Sequence, residues 1–152
     1  MAGITSALCT SFKVELLEGD HDFNNGADTF KVALLKANAS ITGTYGAATT
    51  NYSDVTGNSD ELPNGSGYTT GGYALTNVNP TSTGTVAFTD FSANAQWTSA
   101  TFTTRGCIIY NTSDGNSAVA VINFGADYSV SGGTFEIQWP TADSSNAIIR
   151  IA

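Results

Sequence analysis

The stretch Asp20-His-Asp-Phe-Asn-Asn-Gly-Ala-Asp28 holds the residue types closest to a ligand set. Asp20, Asp22, Asn24 and Asp28 fall at positions 1, 3, 5 and 9 of a helix-flanked calcium loop. The spacing then fails. The glycine needed at position 6 comes one place late, at Gly26, and position 12, which should be a bidentate glutamate, is Lys31. Losing two carboxylate oxygens and gaining a cation opposes strong binding, so these residues are a weak calcium candidate. They read as an Asx-rich turn, and no cofactor is expected.

Other chemistry finds less support. Nucleophilic catalysis needs Ser or Cys beside a His and an orienting carboxylate. The one histidine, His21, lies in an acidic turn, and Cys107 lies in an apolar strand pattern. No two of the thirteen carboxylates stand out as a hydrolytic pair. The glycines of Gly65-Ser-Gly-Tyr-Thr-Thr-Gly-Gly72 precede a strand instead of following one, so they read as turn and bulge positions, not a phosphate cradle. Asn-x-Ser triplets at Asn38, Asn51, Asn64 and Asn111 read as chance in an Asn- and Ser-rich chain. The expectation is a protein that is not an enzyme.

Composition bounds what positions these residues. The 152 residues are 41% hydrophobic and only 12% charged, with net charge −8, against about 25% charged in average domains. That length predicts a single domain, residues 1–152, able to hold itself together by burial. The five basic residues are scattered singly, so neither nucleic acid nor a membrane surface is an expected partner. Cys9 and Cys107 read as small buried hydrophobes. The opening residues lack a basic region and an unbroken apolar stretch, so no signal peptide is expected.

Ile4, Leu8, Phe12 and Leu16 recur every fourth residue and Gly19 stands where a C′ glycine would end a helix, predicting helix over 5–18. From residue 29 the apolar period falls to two. Strands are predicted at Thr29–Leu35, then at 73–79, 84–91, 96–104, 105–112, 117–124, 133–139 and 146–151, with Phe135, Ile137 and Trp139 facing inward. Asp114-Gly115 supplies the positive-φ positions of a tight hairpin. About eight short strands without helical spacers predict an all-β antiparallel sandwich, jelly-roll or immunoglobulin-like, with one N-terminal helix. Residues 38–72 show no sustained period and read as a long surface excursion. Tyr45, Tyr52, Tyr68 and Tyr73 fall in or beside it, where they either contact a partner or pin the loop to its own sandwich.

Six segments together carry a resemblance: MAGITSALCTSFKVELLEG, TFKVALL, GSGYTTGG, WTSATFTTRGCIIYN, AVAVINFG and GTFEIQWPTADSSNAIIRIA. They resemble small virion structural proteins of tailed bacteriophages over nearly the whole chain, least over 36–60. The resemblance implies a capsid decoration or cement protein, or else a tail, baseplate or fibre component that binds host glycan. It implies protein partners such as the major capsid protein, and assembly in the virion after synthesis in the host cytoplasm. A homotrimer seated on the head is the expected form.

Overall fold

A computed structural model describes residues 2–152. In chain order the elements are β1 (Gly3–Ile4), β2 (Ala7–Leu8), α1 (Thr10–Glu18), β3 (Phe30–Lys36), a 3-10 turn (Asn38–Ser40), β4 (Thr44–Tyr45), α2 (Ser53–Gly57), β5 (Tyr73–Ala74), β6 (Thr81–Thr83), β7 (Val86–Thr89), β8 (Ala95–Asn111), β9 (Ser117–Ile137) and β10 (Ile149–Ile151). The fold is all-β and sandwich-like, with one main helix. A five-stranded sheet runs β2-β9-β8-β3-β5, a three-stranded sheet runs β10-β7-β6, and β1 pairs with β4 in parallel.

The five-stranded sheet holds the core. Val32, Ala33, Leu34 and Leu35 of β3 are all fully buried, as are Cys107, Ile108 and Ile109 of β8 and Ala118 and Val119 of β9. Successive residues on a strand point to opposite faces, so both faces are covered there. That is why the sequence reads as unbroken apolar runs at the centre. Toward the far end of β9 one face is solvated and alternation returns. Ile137 is buried and Phe135 half-buried, while Thr134 and Gln138 are exposed. Trp139 lies past the strand end, half-buried, its Nε1–H on the Ala93 carbonyl at 2.9 Å. Cys9 and Cys107 are free and buried.

Several expected boundaries move. The helix begins at Thr10, not residue 5. Ile4 and Leu8 belong to β1 and β2 instead, drawn off by pairing with Tyr45 and Ala120. Cys9 stays extended because its N–H donates to the Val119 carbonyl at 3.0 Å. The helix stop is where expected: Gly19 is left-handed at φ 90° and its N–H reaches the Glu15 carbonyl. Segments 96–104 and 105–112 are one strand, β8. Likewise 117–124 and the start of 133–139 belong to one strand, β9, because Tyr128–Ser131 between them also pair across to β8, with an irregularity opposite Thr104–Gly106. The strand expected over 73–79 shrinks to β5. In the hairpin the positive φ values fall on Gly115 and Asn116, one place later than Asp114-Gly115.

The 38–72 excursion is the largest correction. It carries β4, α2 and buried Ile41, Val55 and Leu62, and it bridges to the edge of β3 at Leu35–Glu61. Two adjacent acids, Asp60 and Glu61, provide the fixing points.

Candidate functional site

Asp60 and Glu61 leave helix α2 together, and both are buried. Adjacent residues in extended chain diverge, so each serves a different part of the excursion. Asp60 accepts from the Gly43 N–H at 2.7 Å, the Thr42 N–H at 3.0 Å and the Tyr45 hydroxyl at 2.6 Å. Glu61 Oε1 accepts from the Tyr68 hydroxyl and the Gly71 N–H, both at 2.7 Å, and Oε2 accepts from the Tyr52 hydroxyl. The Tyr68 oxygen in turn takes the Leu34 N–H at 3.0 Å. Tyr52 stacks on Tyr110 at 4.2 Å, and the Tyr110 hydroxyl closes the ring on the Gly71 carbonyl at 2.6 Å.

Three of the four expected contact tyrosines therefore serve carboxylates inside their own chain. Tyr45 and Tyr68 are buried, and Tyr52 is half-buried. Tyr73 is half-buried on β5, edge-on to Trp97 at 5.7 Å. Of the two roles open to them in the sequence, the structure gives Tyr45, Tyr52 and Tyr68 the pinning one. Sequence reasoning missed Asp60 and Glu61. The available signal was a pair of acids within a tyrosine-rich segment otherwise poor in charge.

The electrostatics follow from burial. Burial pushes the Tyr45, Tyr52 and Tyr68 phenols up, and the carboxylates they serve push them further. Tyr110 is pushed up to about 12, chiefly by burial. For Asp60, burial raises the carboxyl, but the Tyr45, Gly43 and Thr42 donors outweigh it and hold the group below the usual carboxylate range. A depressed folded value contributes stability that is complete above the unfolded value, about 3.9. That stability is lost as pH falls through the folded value. Wild-type unfolding free energy should therefore drop more steeply than that of Asp60→Asn between about pH 4 and pH 2, by denaturant titration at each pH. Parallel profiles would refute this assignment.

Two sets of metal-ligating groups occur. In the acidic turn, Asp28 Oδ2 accepts from the Asp22 N–H at 2.9 Å and from Asn111 Nδ2 at 2.8 Å, while Asp22 Oδ1 accepts twice from Asn24. Asp20 joins only through its N–H, on the Glu15 carbonyl. Asp22 Oδ1 is turned onto amides of its own loop, as in an Asx turn, and Asp28 Oδ2 onto the loop's Asp22 N–H and the Asn111 amide of β8. Sequence reading did not find the second set, in which Glu15, His21 and Asp114 bring ligand atoms within 4.8 Å of one another. Its hydrogen bonding opposes a metal. Asn111 Oδ1 takes the Ser113 N–H at 2.9 Å, so Nδ2 faces His21 Nδ1 at 3.0 Å. The ring proton then sits on Nε2 and is donated to Glu15 Oε2 at 2.9 Å. A metal on Nε2 needs that proton on Nδ1 with an acceptor beyond it, and an amide NH2 is there instead. The set joins the end of α1 to the β8–β9 turn.

Beyond Asn123, no strand among the described residues pairs with the outer edge of β9. Ala95–Thr104 and Tyr128–Phe135, the far arm of the hairpin, contain no charged residue. A groove of about 280 Å³ opens on this arm between Phe124, Tyr128, Phe135 and Glu136. Tyr128 is 51% exposed. Glu136 is held flat by Gln96 at 2.9 Å and Gln138 at 2.8 Å.

Comparison with family models, with curated proteins and with solved structures gave no match to this chain.

Proposed function

We propose that the protein is a structural subunit of a tailed-bacteriophage virion, a decoration or cement protein that reinforces the head shell through protein contacts. The reading rests on the sequence resemblance. The observation that carries it is the long β8–β9 arm, free of charge over Ala95–Thr104 and Tyr128–Phe135, open along its outer edge and aromatic at its groove beside Glu136. Proteins that stay alone guard such edges with lysine, proline or a covering segment. An unguarded edge takes up an extended segment of a neighbour by main-chain pairing, and an aromatic groove beside it gives the pairing its register. In the buried networks every carboxylate oxygen named above already has a donor from its own chain, which favours a load-carrying part over a catalyst. The subunit is proposed as a homotrimer in the virion.

Purified protein added to shells stripped of it should rebind stoichiometrically. Ser131→Lys, at an exposed edge position of the arm, should weaken rebinding about tenfold while changing stability by under about 0.5 kcal/mol. Rebinding unaffected by Ser131→Lys would remove the arm from the contact.

A second reading is kept because one observation favours it. An exposed tyrosine ring beside a carboxylate fixed by two glutamines is a surface on which a sugar ring stacks and hydrogen-bonds, as a tail or fibre component would need. Protein that ignores shells and binds host cells, with loss on Tyr128→Ala, would establish that alternative.

A further inference from the structure

Three of the four exposed large hydrophobic residues are Val14 at 52%, Leu17 at 88% and Ile151 at 56% exposed, and Leu17 and Ile151 line one groove. Two of them belong to α1. The helix buries Phe12 and half-buries Leu16 against its own chain, and turns Lys13, Val14, Leu17 and Glu18 outward. Positions 14 and 17 are adjacent on a helix surface, and 13 and 18 flank them on either side. This is the layout of a helix-pairing seam, with a two-residue apolar centre and a charge of opposite sign on each shoulder.

The charges decide how copies would meet. In a parallel arrangement each shoulder residue faces the opposite shoulder of its neighbour five positions on, so Lys13 meets Glu18 of the next copy. An antiparallel arrangement would set lysine toward lysine and glutamate toward glutamate. Neither Lys13 nor Glu18 has an ion-pair partner among the described residues. Glu18 moreover sits at the negative end of the helix dipole, where alone it is unfavourable, and a neighbour's lysine would offset that. A nine-residue helix is too short to pair by itself. The seam is widened on its Lys13 shoulder by a groove of about 270 Å³ between α1 and β10, lined by Leu16, Leu17, Ile149 and Ile151 with Lys13 and Arg150 beside them.

We propose that this face is a self-association seam: copies of the chain meet about a common axis with α1 helices parallel, Val14 and Leu17 at the centre and Lys13 of each copy against Glu18 of the next. That the number of copies is three rests on the subunit reading above. The seam itself rests on the helix face.

Light scattering and sedimentation equilibrium of the full chain test it. Wild type should show three times the chain mass. Leu17→Glu and Lys13→Glu should each weaken association about tenfold or more. The double variant Lys13→Glu/Glu18→Lys, with the shoulders exchanged, should recover it to within about threefold. Leu17 and Lys13 are exposed, so circular dichroism should show each variant folded. A wild type that stays at one chain mass at about 100 µM overturns both the seam and the trimer. A trimer that persists in Leu17→Glu overturns the seam and leaves the trimer reading standing, as does a double variant that fails to recover. A two-copy mass overturns the threefold arrangement. A trimer broken and restored as described, but unable to rebind shells, supports the seam and defeats the virion reading.

Discussion

Replacing Glu61 by Ala is expected to cost the fold about 3–5 kcal/mol. The carboxylate is buried and collects three donors from separate parts of the chain: the Tyr52 and Tyr68 hydroxyls and the Gly71 N–H. Removing it leaves those donors without their acceptor, at about 1–3 kcal/mol for each left unsatisfied. The Tyr68 hydroxyl also accepts the Leu34 N–H, so the loss reaches the edge of the central strand β3. Against a typical total stability of about 5–15 kcal/mol, the midpoint of thermal unfolding should fall by about 6–20 °C. Glu61→Gln keeps one acceptor oxygen and should lose less than half as much. Tyr52→Phe and Tyr68→Phe should each cost about 1–2 kcal/mol, and non-additively with Glu61→Ala, because all three share one network. Denaturant unfolding followed by tryptophan fluorescence gives these values. A cost under about 1 kcal/mol for Glu61→Ala would show that the excursion is held by its apolar residues alone.

Gly72→Ala should be as severe, about 3–5 kcal/mol, for a different reason. Gly72 has φ 76°, and a Cβ there would lie 2.6 Å from the Val32 carbonyl carbon and 2.7 Å from Ala33 Cα. Both obstacles are backbone of the buried central strand, which cannot move aside without breaking its pairing to β8. Gly132 is the matched control: its φ is 63°, but nothing lies within 4 Å of an added Cβ. Gly132→Ala should therefore show the left-handed strain alone, about 1–2 kcal/mol. Equal costs at the two positions would mean that the excursion yields around the methyl group and is not pressed onto β3.

Gly67 shares this role with Gly72, since a Cβ there would lie 2.7 Å from Ala100 Cα, whereas Gly65 meets nothing within 4 Å. Fold class is legible because Phe30–Lys36 and the two long strands have apolar patterns that only a sheet can bury. Gly19 marks the helix end because its left-handed geometry is local. The helix start is not legible. Ile4 and Leu8 keep helical spacing, yet their partners, Tyr45 and Ala120, are remote in sequence. The excursion is illegible for a related reason. Its order comes from two carboxylates gathering hydroxyls and amides from either side of them, a pattern with no period. The tyrosines could be singled out by type, but their direction could not, since a phenol suits a partner's surface and a buried acid equally well. The continuity of β9 is not legible either, since Gly125 and Gly132 each take a positive φ within a strand that runs on through them.

The pairing of the first residues with the middle of the chain governs the order in which the protein is made. The Ser6 hydroxyl accepts from the Asn123 N–H at 2.9 Å across 117 positions, and β2 docks on β9 beside it. At about 5–20 residues per second of synthesis, the early segment waits about 6–23 s for its partner to emerge. Helix α1 and its buried Phe12 wait with it, since α1 lies against β9. The β8–β9 hairpin, closed by a short local turn, completes itself as soon as it emerges and then gathers in the earlier segment. Slowing the ribosome between the codons for Thr10 and Ala120 would therefore lengthen the time an apolar segment stands uncovered, without changing any contact in the finished fold.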